Sequence, residues 1–479
     1  MHHLDTAEAD SRGTMRQDGR RILGEVQGVN ASMKAGVVAT ELMGVRSTGS
    51  RHTADRSHTD AIAHLLAIGV DYRSTPIGVR ENAALVARES GQMMRYIVGH
   101  LDVTSCMMLS TCNRTELYLI MDDPEAGDLL IPTLAELLVG EASMTHHVQT
   151  FVGEEALQHL FRVAAGLESV ALGEPQILGQ LKDAAQLAQQ NGTLFGALDL
   201  IIRQAISAGK RIRTETPLGS RARSLSDLAI DVLAGQGRIS EGTTALVIGA
   251  GTMGSIAAAR LHAHGARVSV LSRTRASQNR LAEAIGGTPV SWETVPEACS
   301  IIIAATSDAD YILTPERLGN ILPSLDHDLL IVDLAMPRDV DPLCALLPHV
   351  EVIDIDTIAK AGTASILTRE DLDHAQALLA EEVAHTVHIH EARSVSGPTI
   401  QHLTEWAEEL RADAVDRGLR TLGDDTVRAH VDALTKRIVK QLLHPVIQKL
   451  HDDADDPEIA HIIHELFPHS RPGTATGEE

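Results

Sequence analysis

Aromatic side chains make up only 2% of this 479-residue chain, with two Trp, four Tyr and four Phe. Its cores must therefore be assembled from Leu, Ile, Val, Ala and Met. Cysteine is equally sparse: Cys106, Cys112, Cys299 and Cys344 are the four present, and none stands in CxxC spacing. That excludes a disulfide framework or a cysteine-bound zinc, and it fits a reducing, cytoplasmic setting. No apolar run approaches the roughly 18 residues of a membrane span. The ILGEVQGVN stretch after Arg20 and Arg21 is too polar for a signal-peptide core, and the acids around it argue against a transit peptide. Positive charge is in deficit, with 41 Lys and Arg against 65 Asp and Glu and a formal net charge of −24. Such a surface repels a polyanion unless a local basic patch offsets it.

The length suggests about three domains. Residues 1–58 mix Gly, Ser, Thr, His and both charge signs without a period and read as a disordered extension. Residues 59–215 read as an α+β domain: a strand, a Pro-marked turn, a helix to about Gly99, two strands, then a nearly continuous helical pattern over 154–214. In residues 216–360, ALVIGAG, ARVSVLS, SIIIAAT, LLIVDLA and VEVIDID alternate with helical text, the mark of a Rossmann-like, doubly wound parallel sheet. Residues 361–467 read as an all-α arm, broken at SVSGP (394–398), whose Leu-rich KRIVKQLLHPVIQKL would bury its apolar stripe against a second copy in a homodimer. A polar tail follows from 468 to 479. The fold class is thus α/β multidomain.

Two stretches carry chemistry. STCNRT joins two strand-like runs, which places Cys112 on a rigid tip among Thr111, Asn113 and Arg114. Hydrogen-bond donors and a fixed positive charge there would lower the thiol pKa and favour a nucleophilic thiolate. The other reading is a small half-buried cysteine in a polar turn. ALVIGAGTMG places Gly249, Ala250, Gly251, Thr252, Met253 and Gly254 between a buried strand and a helix, the arrangement that lets backbone N–H groups approach a pyrophosphate. After the next strand come Ser272, Arg273 and Arg275, where an NAD enzyme would carry an acid; two arginines suit a 2′-phosphate and favour NADPH.

Taken in order, STCNRTELY, HLFRVAAGLESVALGEPQILGQLK (His159 to Lys182), GAGTMG and DLAMPRDVDP (Asp333 to Pro342) resemble glutamyl-tRNA reductase from about Ala61 to about Leu450. The resemblance implies NADPH-dependent reduction of glutamyl-tRNA(Glu) to glutamate-1-semialdehyde, the first step of five-carbon tetrapyrrole synthesis. Cys112 would attack the aminoacyl ester, expel the tRNA and leave a thioester for hydride reduction. It also implies substrate contacts at Thr111, Cys112, Asn113, Arg114, Ser169, Glu174, Pro175, Gln176 and Gln180. Within that set Arg114 would meet the side-chain carboxylate and Glu174 the α-ammonium. His159 matches the histidine that the family places near the thiol, although by itself it reads as a satisfied core residue. Transient contact with glutamate-1-semialdehyde aminotransferase is a further implied partnership.

Departures from the family pattern are visible. Asp71-Tyr72-Arg73-Ser74-Thr75-Pro76 stands where the family commonly reads N-H-K-T-A-P, so the histidine is missing. Arg203, Lys210, Arg211, Arg213, Arg221 and Arg223 oppose the single acid Glu215 over 201–225, which would be the basic patch a tRNA requires, or else a solvated helix face. His385, His388 and His390, or His461 and His464, lack a metal-site context, and no metal is expected. A tRNA-independent cysteine aldehyde dehydrogenase and a silent NADPH-binding scaffold remain as alternatives. Because the thiol and the nucleotide loop lie in separate domains, a resting structure is expected to hold them apart until the nucleotide domain swings in.

Overall fold

The computed structural model describes residues 61–123, 127–321, 327–361, 367–419, 425–452, 462–463 and 466–467. The expected extension at 1–58 and tail at 468–479 lie outside them. The chain divides into two compact units, the first holding His64–Val383 and the second Ala384–Glu479.

The first unit is built on two sheets. β1 (Leu65–Asp71), β2 (Val103–Ser110), β3 (Arg114–Met121) and β4 (Gln149–Val152) form an antiparallel sheet in the order β2-β3-β1-β4. β1 is buried along its whole length, as LLAIGV leads one to expect of a central strand. Six further strands, β5 (Thr244–Ile248), β6 (Arg267–Leu271), β7 (Thr288–Pro289), β8 (Ile301–Ala304), β9 (Leu329–Asp333) and β10 (Val350–Ile353), form a parallel sheet in the order β10-β9-β8-β5-β6-β7. Strand order reverses beside β5, and the crevice at such a switch point is where open α/β sheets bind ligands. The short β7 was not apparent from sequence, since Thr288-Pro289 offers no apolar run.

Helical expectations need two corrections. The pattern over 154–214 resolves into helices Glu154–Ala165, Gln176–Gln190 and Gly196–Glu215, and the gap between the first two holds the GEP loop. Gly166 ends the first of them in the left-handed conformation that glycine tolerates. At SVSGP the expected break is absent, because the helix Arg369–Leu419 runs straight through. Beyond it Ile400 and Leu403 pack with Leu443, Val446, Leu450, Ile463 and Phe467.

In the second unit that helix and the helix Asp425–Asp452 enclose an apolar groove of about 520 Å³ lined by Trp406, Leu410, Val431, Ile438, Val439 and Leu442. No helix among the described residues is long and apolar enough to cross a membrane.

Candidate active site

Cys112 sits in the three-residue connection between β2 and β3, where the sequence placed it. Thr111 closes that turn: its Oγ1 accepts from the N–H groups of Asn113 (3.1 Å) and Arg114 (3.2 Å), and its own N–H donates to the Arg114 carbonyl at 2.8 Å. Cys106, Cys299 and Cys344 are fully buried, so Cys112 is the one partly exposed thiol.

The expected lowering of its pKa is not found. Desolvation pushes the thiol up to about 12; the Glu174 carboxylate adds to that rise, and the Arg80 and Arg114 charges pull against it. The cause is the neighbouring sheet. Cys112 and Val170 pack against the apolar cluster around β5, β8 and β9, together with Ala250, Met253 and Met336 of that half. The halves are therefore seated against each other, contrary to the expected separation. Glu81 seals the contact by accepting from Arg338 three times, from its N–H (2.9 Å), Nε (3.0 Å) and second terminal nitrogen (2.7 Å). Arg80 pairs with Asp356, and Arg88 donates to the Ser307 carbonyl at 2.8 Å.

Arg114 and His159 are engaged differently from expectation. Arg114 is buried and donates to Glu116 Oε1 at 2.8 Å and to the Glu168 carbonyl. His159 is buried too, with Nε2 3.0 Å from the same Glu116 oxygen and its ring stacked 4.3 Å from Phe151. It makes no hydrogen bond to Cys112. Burial pushes Glu116 up, but Arg114 and His159 outweigh it and hold the carboxyl at about 2. Residues 114, 116 and 118 share one face of β3, which is why Tyr118 reaches Glu116 Oε2 at 2.5 Å.

The GEPQ segment carries the remaining candidates. Ser169 and Glu174 are buried, Pro175 is exposed, and Gln176 opens the helix on which Gln180 stands half-buried. Arg213, from the last turn of helix Gly196–Glu215, holds the loop by donating to the carbonyls of Gly173 (2.6 Å) and Glu174 (2.9 Å). Burial lifts the Glu174 carboxyl to about 7 against the Leu225 N–H and Arg213, which favour its ionised form. Asn113 Oδ1, Glu174 Oε1, Gln176 Nε2 and a terminal nitrogen of Arg80 are all buried without a hydrogen-bond partner. Native structures leave few such atoms, and these four lie on the Cys112 loop, the GEPQ segment and the helix Ile77–Val86.

The Asp71–Pro76 turn adjoins this loop, with the Tyr72 N–H donating to the Asn113 carbonyl at 2.9 Å. Ser74 Oγ and Arg73 Nε both bind the buried Asp71 carboxylate, at 2.9 and 2.8 Å, and Arg73 also pairs with Glu168. The arginine that replaces the family's lysine thus braces the loop 166–175.

On the parallel sheet the glycine loop has the shape a dinucleotide needs. Gly249 takes φ +108°, and a Cβ there would lie 2.4 Å from the Ala305 carbonyl; one on Gly254 would lie 2.0 Å from the Gly249 carbonyl. A Cβ on Gly251 would meet nothing within 4 Å, so the backbone faces open space at the N-terminus of helix Thr252–Ala263. Arg273 and Arg275 are exposed after β6 and have no carboxylate partner among the described residues, while Ser272 is 3.2 Å from Ser277.

Residues 68–216 match the model of the glutamyl-tRNAGlu reductase N-terminal domain, 234–361 that of shikimate / quinate 5-dehydrogenase, and 374–469 that of the glutamyl-tRNAGlu reductase dimerisation domain. A glutamyl-tRNA reductase of Myxococcus xanthus is 34% identical over 397 residues, 81% of this chain and 89% of its own. That of Synechococcus sp. is 33% identical over 396 residues, 80% of this chain and 91% of its own. The chain belongs to the glutamyl-tRNA reductase family. Among solved structures, the glutamyl-tRNA reductase from Methanopyrus kandleri is 26% identical, covering 84% of this chain and 98% of its own, with a TM-score of 0.42. The chain's activity is glutamyl-tRNA reduction, which feeds tetrapyrrole precursor synthesis. Its parallel sheet is a dehydrogenase-like nucleotide-binding region, and its C-terminal helices are the family's dimerisation domain.

The proposed basic patch fares worse. Arg211 is paired with Glu215, Glu381 and Glu382, Arg203 with Asp199, Arg221 with Asp371 and Arg223 with Asp231. Arg213 is spent on the GEPQ loop. Asp199, Glu215 and Asp231 lie within eight residues of the arginines they pair with, whereas Asp371, Glu381 and Glu382 lie 150 to 171 residues away, where a local count of charge could not reveal them. Sequence reading also missed Arg80, Glu81, Glu116 and Arg338. The signal available for the first two was an Arg-Glu pair inside the apolar helix text IGVRENAALV, where paired charges are rarely buried without a partner elsewhere.

Proposed function

We propose that Cys112 takes the glutamyl group from glutamyl-tRNA(Glu) as a thioester and that the group is released as glutamate-1-semialdehyde after reduction. The observation that carries this reading is the set of unpartnered buried atoms on the Cys112 loop and the GEPQ segment: two acceptors, Asn113 Oδ1 and Glu174 Oε1, and one amide donor, Gln176 Nε2. Two acceptors suit an α-ammonium and an amide donor suits a carboxylate or carbonyl oxygen, so an α-amino acyl group satisfies all three. Thr111, Ser169, Pro175 and Gln180 complete the assigned substrate surface, and Arg114, fixed by Glu116, supplies positive potential from behind the loop. His159 orients that carboxylate.

NADPH, bound through Gly249, Ala250, Gly251, Thr252, Met253 and Gly254 with Ser272, Arg273 and Arg275 at its 2′-phosphate, would supply the hydride. The open space at Gly251 and the unpaired arginines fit it. Met253 and Met336, packed with Cys112 on one apolar cluster, keep water from a thioester formed there. We assign residues 59–215 to substrate binding, 216–360 to the cofactor and 361–467 to a homodimer; a second copy's apolar face would fill the groove beside Trp406 and Leu442. Contact with the aminotransferase that consumes the product completes the reading.

The test is a single turnover with tRNA carrying radiolabelled glutamate and no cofactor. Label should remain on the protein after ribonuclease digestion of the tRNA and acid precipitation and be released by hydroxylamine, and Cys112→Ser should retain none while still binding NADPH. Label held equally by Cys112→Ser would sink the assignment.

A further inference from the structure

Residues 333–340, which leave β9 at the C-terminal edge of the parallel sheet, are gripped from two sides by adjacent side chains. Arg338 places its N–H (2.9 Å), Nε (3.0 Å) and one terminal nitrogen (2.7 Å) on the single Glu81 carboxylate of helix Ile77–Val86. Asp339, fully buried, accepts from the Thr306 N–H at 2.7 Å and from the Thr306 hydroxyl at 2.6 Å. Asp333 ties the segment into one piece by accepting from the N–H groups of Ala335 (3.0 Å), Asp339 (3.3 Å) and Val340 (2.9 Å). Each grip leads on to a functional loop. Beyond Thr306, Ala305 donates to the Ile248 carbonyl at 2.9 Å, and a Cβ on Gly249 would lie 3.2 Å from the Thr306 methyl group. Ahead of Glu81, the turn 71–76 that opens its helix is bonded to the thiol loop, with the Tyr72 N–H on the Asn113 carbonyl at 2.9 Å. Backbone and hydrogen bonds thus run without a gap from the residue after Cys112 to the first glycine of the nucleotide loop.

We propose that Glu81, Arg338, Asp339 and Thr306 are positioning residues for the reductive step, a bracket that sets the register of the nucleotide loop on the thiol loop. The apolar cluster that Cys112, Ala250, Met253 and Met336 share holds the two halves together, but burial of apolar surface is non-directional and sets no register. A guanidinium and a backbone N–H placed together on one carboxylate fix both distance and orientation. Because Asp339 adjoins Arg338, that register passes directly to Thr306 and Gly249. In the step it serves, the thioester carbon gains a hydride, the carbon–sulfur bond breaks, a proton returns to the thiol and NADPH leaves oxidised. Such a transfer tolerates little error in placement, whereas acyl transfer from the tRNA to Cys112 needs nothing from the nucleotide loop. The inference rests on the proposed thioester at Cys112 and nucleotide at Gly249.

The test uses Arg338→Lys in the full chain, a change that keeps the charge and removes the fork. Three quantities are compared with the parent: thioester formation from glutamyl-tRNA without cofactor, NADPH affinity by fluorescence titration, and single-turnover reduction of the preformed thioester at saturating NADPH. Reduction should fall about a hundredfold while the other two stay within about threefold. Hydrogen exchange of the cofactor-free chain, read on the peptide that carries the Thr306 amide, should be about tenfold faster, since loosening one grip loosens the other. Reduction within about threefold of the parent, an equal loss of thioester formation, a loss made good by more NADPH, or unchanged exchange at Thr306 would each overturn the proposal. Should Arg338→Lys fail to fold by circular dichroism, Thr306→Val decides on the three kinetic and binding quantities, because it removes the hydroxyl bond to Asp339 and leaves the N–H bond. Failure of the underlying reading would look different: the parent itself would form no thioester at Cys112, or NADPH would not discharge it.

Discussion

Replacing Glu116 by Gln removes one negative charge from the interior of the substrate-binding half while hardly altering shape. The amide oxygen can still accept from Arg114 and His159, but its NH2 then faces Tyr118, whose hydroxyl proton loses its acceptor. More important, the buried Arg114 loses its counter-charge, and stranding one partner of a buried ion pair costs about 3–5 kcal/mol. The carboxyl itself gives a second measure. Held at about 2 against an ordinary 4.5, it is worth about 3 kcal/mol of stability at neutral pH. The sign follows from the folded value lying below the unfolded one: the unfolded chain takes up the proton first. This stability is therefore present above pH 4.5 and is lost as the pH falls from there toward 2. Urea unfolding by far-ultraviolet circular dichroism at pH 7 should show the Gln variant destabilised by about 3–5 kcal/mol, with a shallower loss of stability on acidification than the parent. A variant within about 1 kcal/mol of the parent at pH 7, or one with the parent's acid slope, would refute the reasoning.

Two further outcomes concern the nucleotide loop. Changing Arg273 and Arg275 together to Gln should raise KM for NADPH roughly tenfold or more and leave KM for NADH nearly unchanged, because only the former carries a 2′-phosphate; steady-state kinetics with both cofactors decides it. Gly254→Ala sets a methyl group 2.0 Å from the Gly249 carbonyl, so fluorescence titration should show dinucleotide binding lost, while thioester formation at Cys112 persists.

What the sequence made legible was whatever depends on near neighbours. The apolar runs on either side of STCNR predict β2 and β3, and the run before GAGTMG predicts β5, because a strand's burial is written in its own residues. The partnerships that decide electrostatics were not legible. Arg80 meets Asp356 across 276 positions and Glu81 meets Arg338 across 257. The thiol pKa was misjudged for the same reason, since Thr111, Asn113 and Arg114 argue for a low value and the desolvating layer at Ala250, Met253 and Met336 is remote in sequence. At SVSGP local text spoke of a break, and the helix Arg369–Leu419 continues through it.

The turn that carries Cys112 works as a ruler. Asp71 lies opposite Arg114 and Gly69 opposite Glu116, and every second residue of β3 faces the same way. Lengthening or shortening STCNR by one residue would turn Arg114, Glu116 and Tyr118 to the opposite face and expel three polar groups from the network they form. Apart from Cys112, the identity of a residue in this loop can vary at a bounded cost, but its length cannot, so relatives that have diverged widely elsewhere should still agree on the number of residues between these two strands.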